Sequence, residues 1–71
     1  MEPNELSEGA RRVLKEKSGT PIEDAIKDCL MEAFVTDRVS NGTREMRLEI
    51  ESLDEAASYL EAEKKKGRKT V

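Results

Sequence analysis

The sequence has no histidine, no tryptophan and a single cysteine among its 71 residues. Without histidine it lacks the commonest general base and a common metal ligand. One cysteine can neither close an internal disulfide nor supply the several ligands of a zinc site. The four glycines are scattered and form neither a phosphate-binding loop nor a dinucleotide fingerprint. We therefore expect no enzyme activity, no cofactor and no bound metal.

Aromatic residues and long apolar runs are also scarce. Phe34 and Tyr59 are the only aromatics, and 35% of the residues are hydrophobic against 41% charged. A single small domain over residues 1–67 with a thin, mostly aliphatic core is therefore expected. No apolar run reaches membrane-spanning length and no signal-peptide pattern is present, so we expect no membrane association. The expected location is the cytoplasm, or the nucleus in a eukaryotic host.

The clearest pattern is an amphipathic helix over residues 20–34. Thr20 is suited to cap its first turn, with Pro21 at the first helical position and Glu23 completing a capping box. Apolar residues recur at spacings of three and four, which predicts a buried stripe that includes Cys29 as a small hydrophobe. The opposite face carries acidic and basic residues and is predicted to be solvated. The apolar stripe consists of Ile22, Ala25, Ile26, Cys29, Leu30, Ala33 and Phe34.

Two further helices are predicted. Residues 4–17 carry a narrow apolar stripe (Leu6, Ala10, Val13, Leu14), with either Asn4 or Ser7 as the cap. Because the link to Thr20 is short, these first two helices are expected to form a helical hairpin. Residues 52–66 begin at a second capping box and end at Gly67, with apolar residues at helical spacing. That third stripe consists of Leu53, Ala56, Ala57 and Leu60.

Between the second and third helices the period changes to two. Met46, Leu48 and Ile50 alternate with charged residues, which predicts a half-buried strand. The preceding Asn41-Gly42 pair is a strong signal for a β-hairpin turn. The first arm, residues 35–40, reads as a strand or as a frayed helix end and loop. The predicted fold class is therefore a small α+β domain in the order helix, helix, β-hairpin, helix, with a two-stranded antiparallel sheet.

In this predicted fold at least one strand edge is exposed, and that edge indicates a function in binding. A thin core and a free edge favour a non-catalytic protein-interaction module that pairs with another protein or with itself as a homodimer, extending the sheet across two chains. The candidate partner or dimer edge consists of Arg44, Met46, Arg47, Leu48, Glu49 and Ile50.

The alternative function depends on the uneven distribution of charge. Residues 1–63 hold all 16 acidic and 8 basic residues, a net charge of −8, whereas residues 64–71 hold 5 basic residues and no acid. We expect residues 68–71 to form a disordered basic tail. Such a tail can neutralise nucleic-acid phosphates, which indicates a nucleic-acid-associated regulator. The candidate contacts are Lys64, Lys65, Lys66, Arg68 and Lys69.

Overall fold

Three α-helices make up the regular structure of the chain in a computed structural model that describes residues 5–39 and 42–71. Helix α1 spans Glu8–Glu16, α2 spans Ile22–Val39 and α3 spans Arg44–Lys65. The described residues contain no strand, and their one extended pairing is a single antiparallel bridge between Pro21 and Thr70. The α+β prediction, with its β-hairpin and two-stranded sheet, is therefore wrong, and the fold is all-helical.

The segment predicted as the second strand is the first part of α3. Thr43 caps that helix by accepting a hydrogen bond from the Met46 backbone N–H at 3.4 Å. Met46 and Ile50 are four residues apart and continue to Leu53, so they lie on one helical face. Arginine, glutamate, methionine and leucine are also strong helix formers, which favours the helix further. Residues 46–50 therefore carry two patterns, a period of two that includes Leu48 and a helical spacing that includes Leu53, and the chain adopts the helical one.

The first predicted arm is helical as well. Residues 35–39 complete α2, whereas Ser40 and Asn41 lie outside the described residues. Gly42 has φ 78°, in the left-handed region that favours glycine, but it precedes a helix and not the predicted strand. Ser52, predicted to cap the third helix, lies inside α3, and its hydroxyl donates to the Leu48 carbonyl at 2.9 Å.

Helices α2 and α3 pack along two stripes with alternating spacings of four and three residues. Side chains on both stripes are buried or half-buried, and small residues such as Cys29, Ala33 and Ala57 occupy several positions. Cys29 has no exposed surface, as predicted. The stripe on α2 is Ile22, Ile26, Cys29, Ala33 and Thr36. The stripe on α3 is Met46, Ile50, Leu53, Ala57 and Leu60.

Helix α1 packs mainly against α3, so the predicted hairpin between the first two helices is not the main contact. Ser7 caps α1 by accepting from the Ala10 N–H at 3.2 Å, and the Ser7 N–H donates to the Glu55 carboxylate of α3 at 2.6 Å. A Cβ on Gly9 would lie 2.9 Å from the Ser52 Cβ. Gly9 therefore marks a close crossing of α1 over α3.

The C-terminal residues join the fold through the backbone. The Ile22 N–H donates to the Lys69 carbonyl at 2.8 Å, the Val71 N–H donates to Thr20 at 2.9 Å, and the Gly19 N–H donates to Val71 at 3.0 Å. The prediction of a disordered tail over residues 68–71 differs from this arrangement. Segment 68–71 also supplies the acceptor for the first N–H of α2, which would otherwise be an orphan donor.

The burial of α2 predicts unequal effects of two substitutions. Ile26 is 9% exposed and Leu30 is 48% exposed. We expect Ile26→Ala to lower the free energy of unfolding by about 2–4 kcal/mol and Leu30→Ala by less than about 1 kcal/mol, because only the first opens a cavity. Urea denaturation followed by circular dichroism measures both. Equal losses would contradict the assignment of Leu30 to the surface.

Gly9→Ala provides a test in which two effects have opposite signs. Helix propensity alone predicts that alanine stabilises α1 by about 1 kcal/mol. The contact with Ser52 predicts destabilisation instead, because a Cβ at residue 9 would force α1 and α3 apart. In a Ser52→Gly background the obstacle is absent, and the same change should become stabilising. Thermal denaturation of the four proteins in this double-mutant cycle checks the reversal of sign.

Candidate interaction surface

The length of α1 determines which side chains remain exposed. This helix has nine residues, whereas α2 has 18 and α3 has 22. At about 1.5 Å per residue, α1 covers less than half of α3. Helix α1 crosses α3 at Ser52, and an open groove separates α1 from the first half of α3. Among the described residues, the large apolar side chains that are strongly exposed lie on α2 from residue 30 onwards and at one position of α3: Leu30, Met31, Phe34, Val35, Val39 and Leu48.

Five of these six side chains lie on α2. Met31, Phe34 and Val39 are 66%, 60% and 59% exposed, and Leu30 and Val35 are about half exposed. Leu30 and Phe34 were predicted to be core residues, which is wrong, since the buried face of α2 is formed by smaller neighbours. We call Leu30, Met31, Phe34, Val35 and Val39 the α2 apolar surface. The same helix also has a buried apolar face, and the exposed charged residues Glu32, Asp37 and Arg38 lie among these apolar positions.

Polar residues border the α2 apolar surface at both ends. Asp24 and Asp28 lie exposed on the N-terminal side, and Arg38 lies exposed on the C-terminal side. The Arg38 guanidinium carbon lies 5.7 Å from the centre of the Phe34 ring, within range of a cation–π interaction. This contact places a positive charge directly beside the largest apolar side chain. Along the line of Asp24, Asp28 and Arg38 the charge is acidic at one end and basic at the other, while exposed Lys27 and Asp37 add a charge of opposite sign beside each end.

A separate open groove of about 710 Å³ lies between α1 and the first half of α3. Its apolar lining includes Val13 and Leu48, and Arg12 is the one basic residue on its walls. Such an acidic rim repels anions and would disfavour a phosphate ligand. The glutamates on the rim are Glu8, Glu16, Glu45, Glu49, Glu51 and Glu55.

The predicted partner edge does not exist as an edge, because all six of its residues belong to α3. Met46 and Ile50 are half-buried on the stripe that packs towards α2. Leu48 is 53% exposed in the acidic groove, and Arg44, Arg47 and Glu49 are exposed. The six residues therefore do not share one face. The apolar surface that the sequence analysis missed is on the preceding helix.

Three of the five predicted nucleic-acid contacts are ion-paired with the body of the protein. Lys64 Nζ lies 3.0 Å from Glu23, Lys66 Nζ lies 3.5 Å from Glu63, and Arg68 Nη1 lies 3.1 Å from Glu63. The hydrogen bond from Lys64 lowers the pKa of the Glu23 carboxyl. The other two candidates, Lys65 and Lys69, are exposed. The basic segment is thus partly neutralised by its own chain.

Tyr59, Glu63 and Arg68 form one hydrogen-bonded cluster where α3 meets the C-terminal segment. The Tyr59 hydroxyl donates to Glu63 Oε1 at 3.0 Å, and Arg68 Nη1 donates to the same oxygen at 3.1 Å. The bond from Tyr59, followed by those from Arg68 and Lys66, lowers the pKa of Glu63, whereas burial raises the pKa of Tyr59. Arg68 also donates to the Thr70 carbonyl at 2.8 Å, so the cluster fastens the C-terminal segment to α3.

The residues with potential catalytic chemistry are not gathered in a cleft. Burial raises the pKa of the Cys29 thiol, which keeps it protonated and unreactive. Among the described residues, no group of three or more cysteine and carboxylate side chains could hold a metal ion. In the same part of the chain, no helix combines the length and apolar character needed to cross a bilayer. The α2 apolar surface is therefore the strongest functional candidate.

The lowered pKa of Glu63 predicts a pH-dependent stability. A carboxyl with a depressed pKa in the folded state stabilises above its ordinary pKa of 4.5 and loses this contribution as the pH falls through the folded-state pKa. Glu63→Gln should therefore lower the melting temperature at pH 7, and the difference from wild type should shrink between pH 4.5 and more acidic values. Exposed Glu61 provides the control, because Glu61→Gln should show a smaller difference at pH 7.

Comparisons with models of protein families, with curated proteins and with solved structures gave no match. The function is therefore inferred from the surfaces of the chain itself.

Proposed function

We propose that this chain is a small non-catalytic protein-interaction module that binds its partner through the α2 apolar surface. The observation that carries the proposal is the exposure of five large apolar side chains on consecutive turns of one helix. Scattered exposed apolar residues are ordinary on soluble proteins, whereas a contiguous patch is typical of an interaction site.

The composition of the surface supports binding to protein. Phenylalanine and methionine are enriched in protein interfaces, and arginine is the cation most enriched there. Phe34 is 60% exposed, Met31 is 66% exposed, and Arg38 lies over the Phe34 ring. Phe34 is thus placed as an anchor that a partner pocket can enclose, with Arg38 beside it.

The alternative of a nucleic-acid-associated regulator has weaker support. Phosphate would have to compete with carboxylates for Lys64, Lys66 and Arg68. No aromatic residue is interleaved with these cations, so they lack a base-stacking platform. A titration of labelled DNA and RNA at increasing salt separates the two functions, because binding through phosphates weakens steeply as salt rises.

Val35→Lys tests the proposed surface. Val35 is 51% exposed, so lysine should be tolerated by the fold but should place an uncompensated charge in the interface. Used as bait in extracts of the source cells, the variant should lose a protein that the wild type captures. With that protein purified, its dissociation constant should rise by about tenfold or more.

The matched control is Ser58→Lys, which adds the same charge at an exposed position of α3. It should retain the partner, and circular dichroism should show equal helicity for all three proteins. Capture that is equally strong with both variants would contradict the surface assignment. Binding only to nucleic acid, or to no macromolecule and no second copy of the chain, would contradict the proposed function.

A further inference from the structure

We propose that the partner on the α2 apolar surface is a second copy of this chain, with the two α2 helices antiparallel. This inference depends on the proposed function and names its partner. It comes from the order of charge and apolarity on the outer side of α2. The residues concerned, which we call the outer stripe, are Asp24, Asp28, Met31, Val35 and Arg38.

The outer stripe has the spacing of a second helix-packing seam. Its members are separated by four, three, four and three residues, which places them along one side of a helix. All five are exposed, and the buried stripe that packs on α3 lies on the other side of α2. Because these five residues are exposed, neither α1 nor α3 covers this side within the described residues. A second helix can therefore lie along it without displacing any part of the chain.

The outer stripe is complementary to itself when reversed. Its sequence order is acidic, apolar, then basic, and four of its members are symmetric about residue 33: Asp28 with Arg38, and Met31 with Val35. Asp24 lies outside this symmetric part, because its counterpart would be residue 42, beyond the end of α2. An antiparallel second copy centred there places Asp28 of each chain against Arg38 of the other, and Met31 against Val35. The two ion pairs at the ends and the apolar centre repeat by two-fold symmetry, as an isologous interface requires.

Other arrangements of the same surface are less favourable. A parallel pair would place Asp28 against Asp28 and Arg38 against Arg38, and like charges in contact are repulsive. A foreign partner bearing charge of one sign would be attracted at one end of the stripe and repelled at the other. The antiparallel copy matches both ends at once.

The flanking residues strengthen the antiparallel arrangement. Leu30 and Phe34 lie on the same side of the outer stripe, one turn apart. The two-fold axis brings the two Phe34 side chains to within about 3 Å of each other along the helix axis, since each is one residue from the centre. Two aromatic rings at the middle of an interface can pack against each other. Arg38 can then keep its contact with the ring while reaching Asp28 of the second copy.

The size of the surface predicts a weak, reversible dimer. Its five large apolar side chains are between 48% and 66% exposed, which is on the order of 500 Å² of apolar surface per copy. Two copies would bury about 1,000 Å² of it, the lower limit for a specific interface. We therefore expect a dissociation constant in the micromolar range or weaker, with monomer and dimer exchanging in solution.

Analytical ultracentrifugation of the purified chain from about 5 µM to about 1 mM tests self-association. The wild type should shift from monomer towards dimer with rising concentration, Ser58→Lys should do the same, and Val35→Lys should stay monomeric. Circular dichroism confirms that each variant is folded. A wild type that is monomeric throughout, or a dimer unaffected by Val35→Lys, would overturn the inference.

Charge exchange tests the orientation. Asp28→Arg creates two arginine–arginine contacts across the interface and Arg38→Asp creates two aspartate–aspartate contacts, so each should weaken the dimer by about tenfold or more. The double variant Asp28→Arg/Arg38→Asp restores opposite charges and should recover most of the affinity. Failure of the double variant to recover, with helicity intact, would exclude the antiparallel arrangement.

The two proposals can fail separately. A chain that remains monomeric but captures another protein in a manner abolished by Val35→Lys keeps the proposed function and overturns the self-association. If Val35→Lys still binds the partner and still dimerises, both proposals are overturned, because the α2 apolar surface would then not be the interface.

Discussion

The close packing of α2 against α3 is the constraint on which the rest of the structure depends. Cys29, Ala33 and Ala57 lie on the facing stripes and are almost fully buried, and small side chains let two helices approach closely. A seam of this kind buries little apolar area, so it contributes less stabilisation than one built from large side chains. Phe34 and Met31 lie outside this seam, because their positions in the helical period direct them away from α3, and they remain 60% and 66% exposed.

The existence of three helices could be predicted from the sequence, because helical period acts over a few residues. Capping was less reliable: Ser7 caps α1, but α2 begins at Ile22 and not directly after Thr20, and Ser52 lies inside α3. The buried stripe Leu53, Ala56, Ala57 and Leu60 was predicted correctly, as was the burial of Cys29. The β-hairpin was wrong because residues 46–50 satisfy two periods at once, and the two-residue alternation was preferred over the longer stripe from Met46 to Leu60. A pattern that extends over four turns deserves more weight than one that extends over five residues.

The α2 apolar surface was missed for a related reason. Met31, Val35 and Val39 recur every four residues and would have indicated a second apolar side of one helix, but the predicted helix ended at Phe34 and divided them. No pattern of side chains in the sequence indicated that residues 68–71 would be anchored to the helices. This anchoring depends on backbone hydrogen bonds from Gly19, Ile22 and Val71, and such bonds leave no trace in the periodicity of side chains.

Stability and association are coupled in a chain with this distribution of apolar residues. A domain of about 70 residues has a small margin of stability, and any partner that binds only the folded state adds to it by mass action. Covering the outer side of α2 would bury Met31 and Val35 and so give the second half of that helix a packed layer on both sides. Lys17, directly after α1, forms an ion pair of 3.3 Å with Glu32 of this half, in which Glu32 is 55% exposed and the interaction is correspondingly weak. A partner that covers the α2 apolar surface would therefore stabilise the folded state of α2 more than that of α1 or α3. Binding at this surface and folding of the helix are coupled in this way.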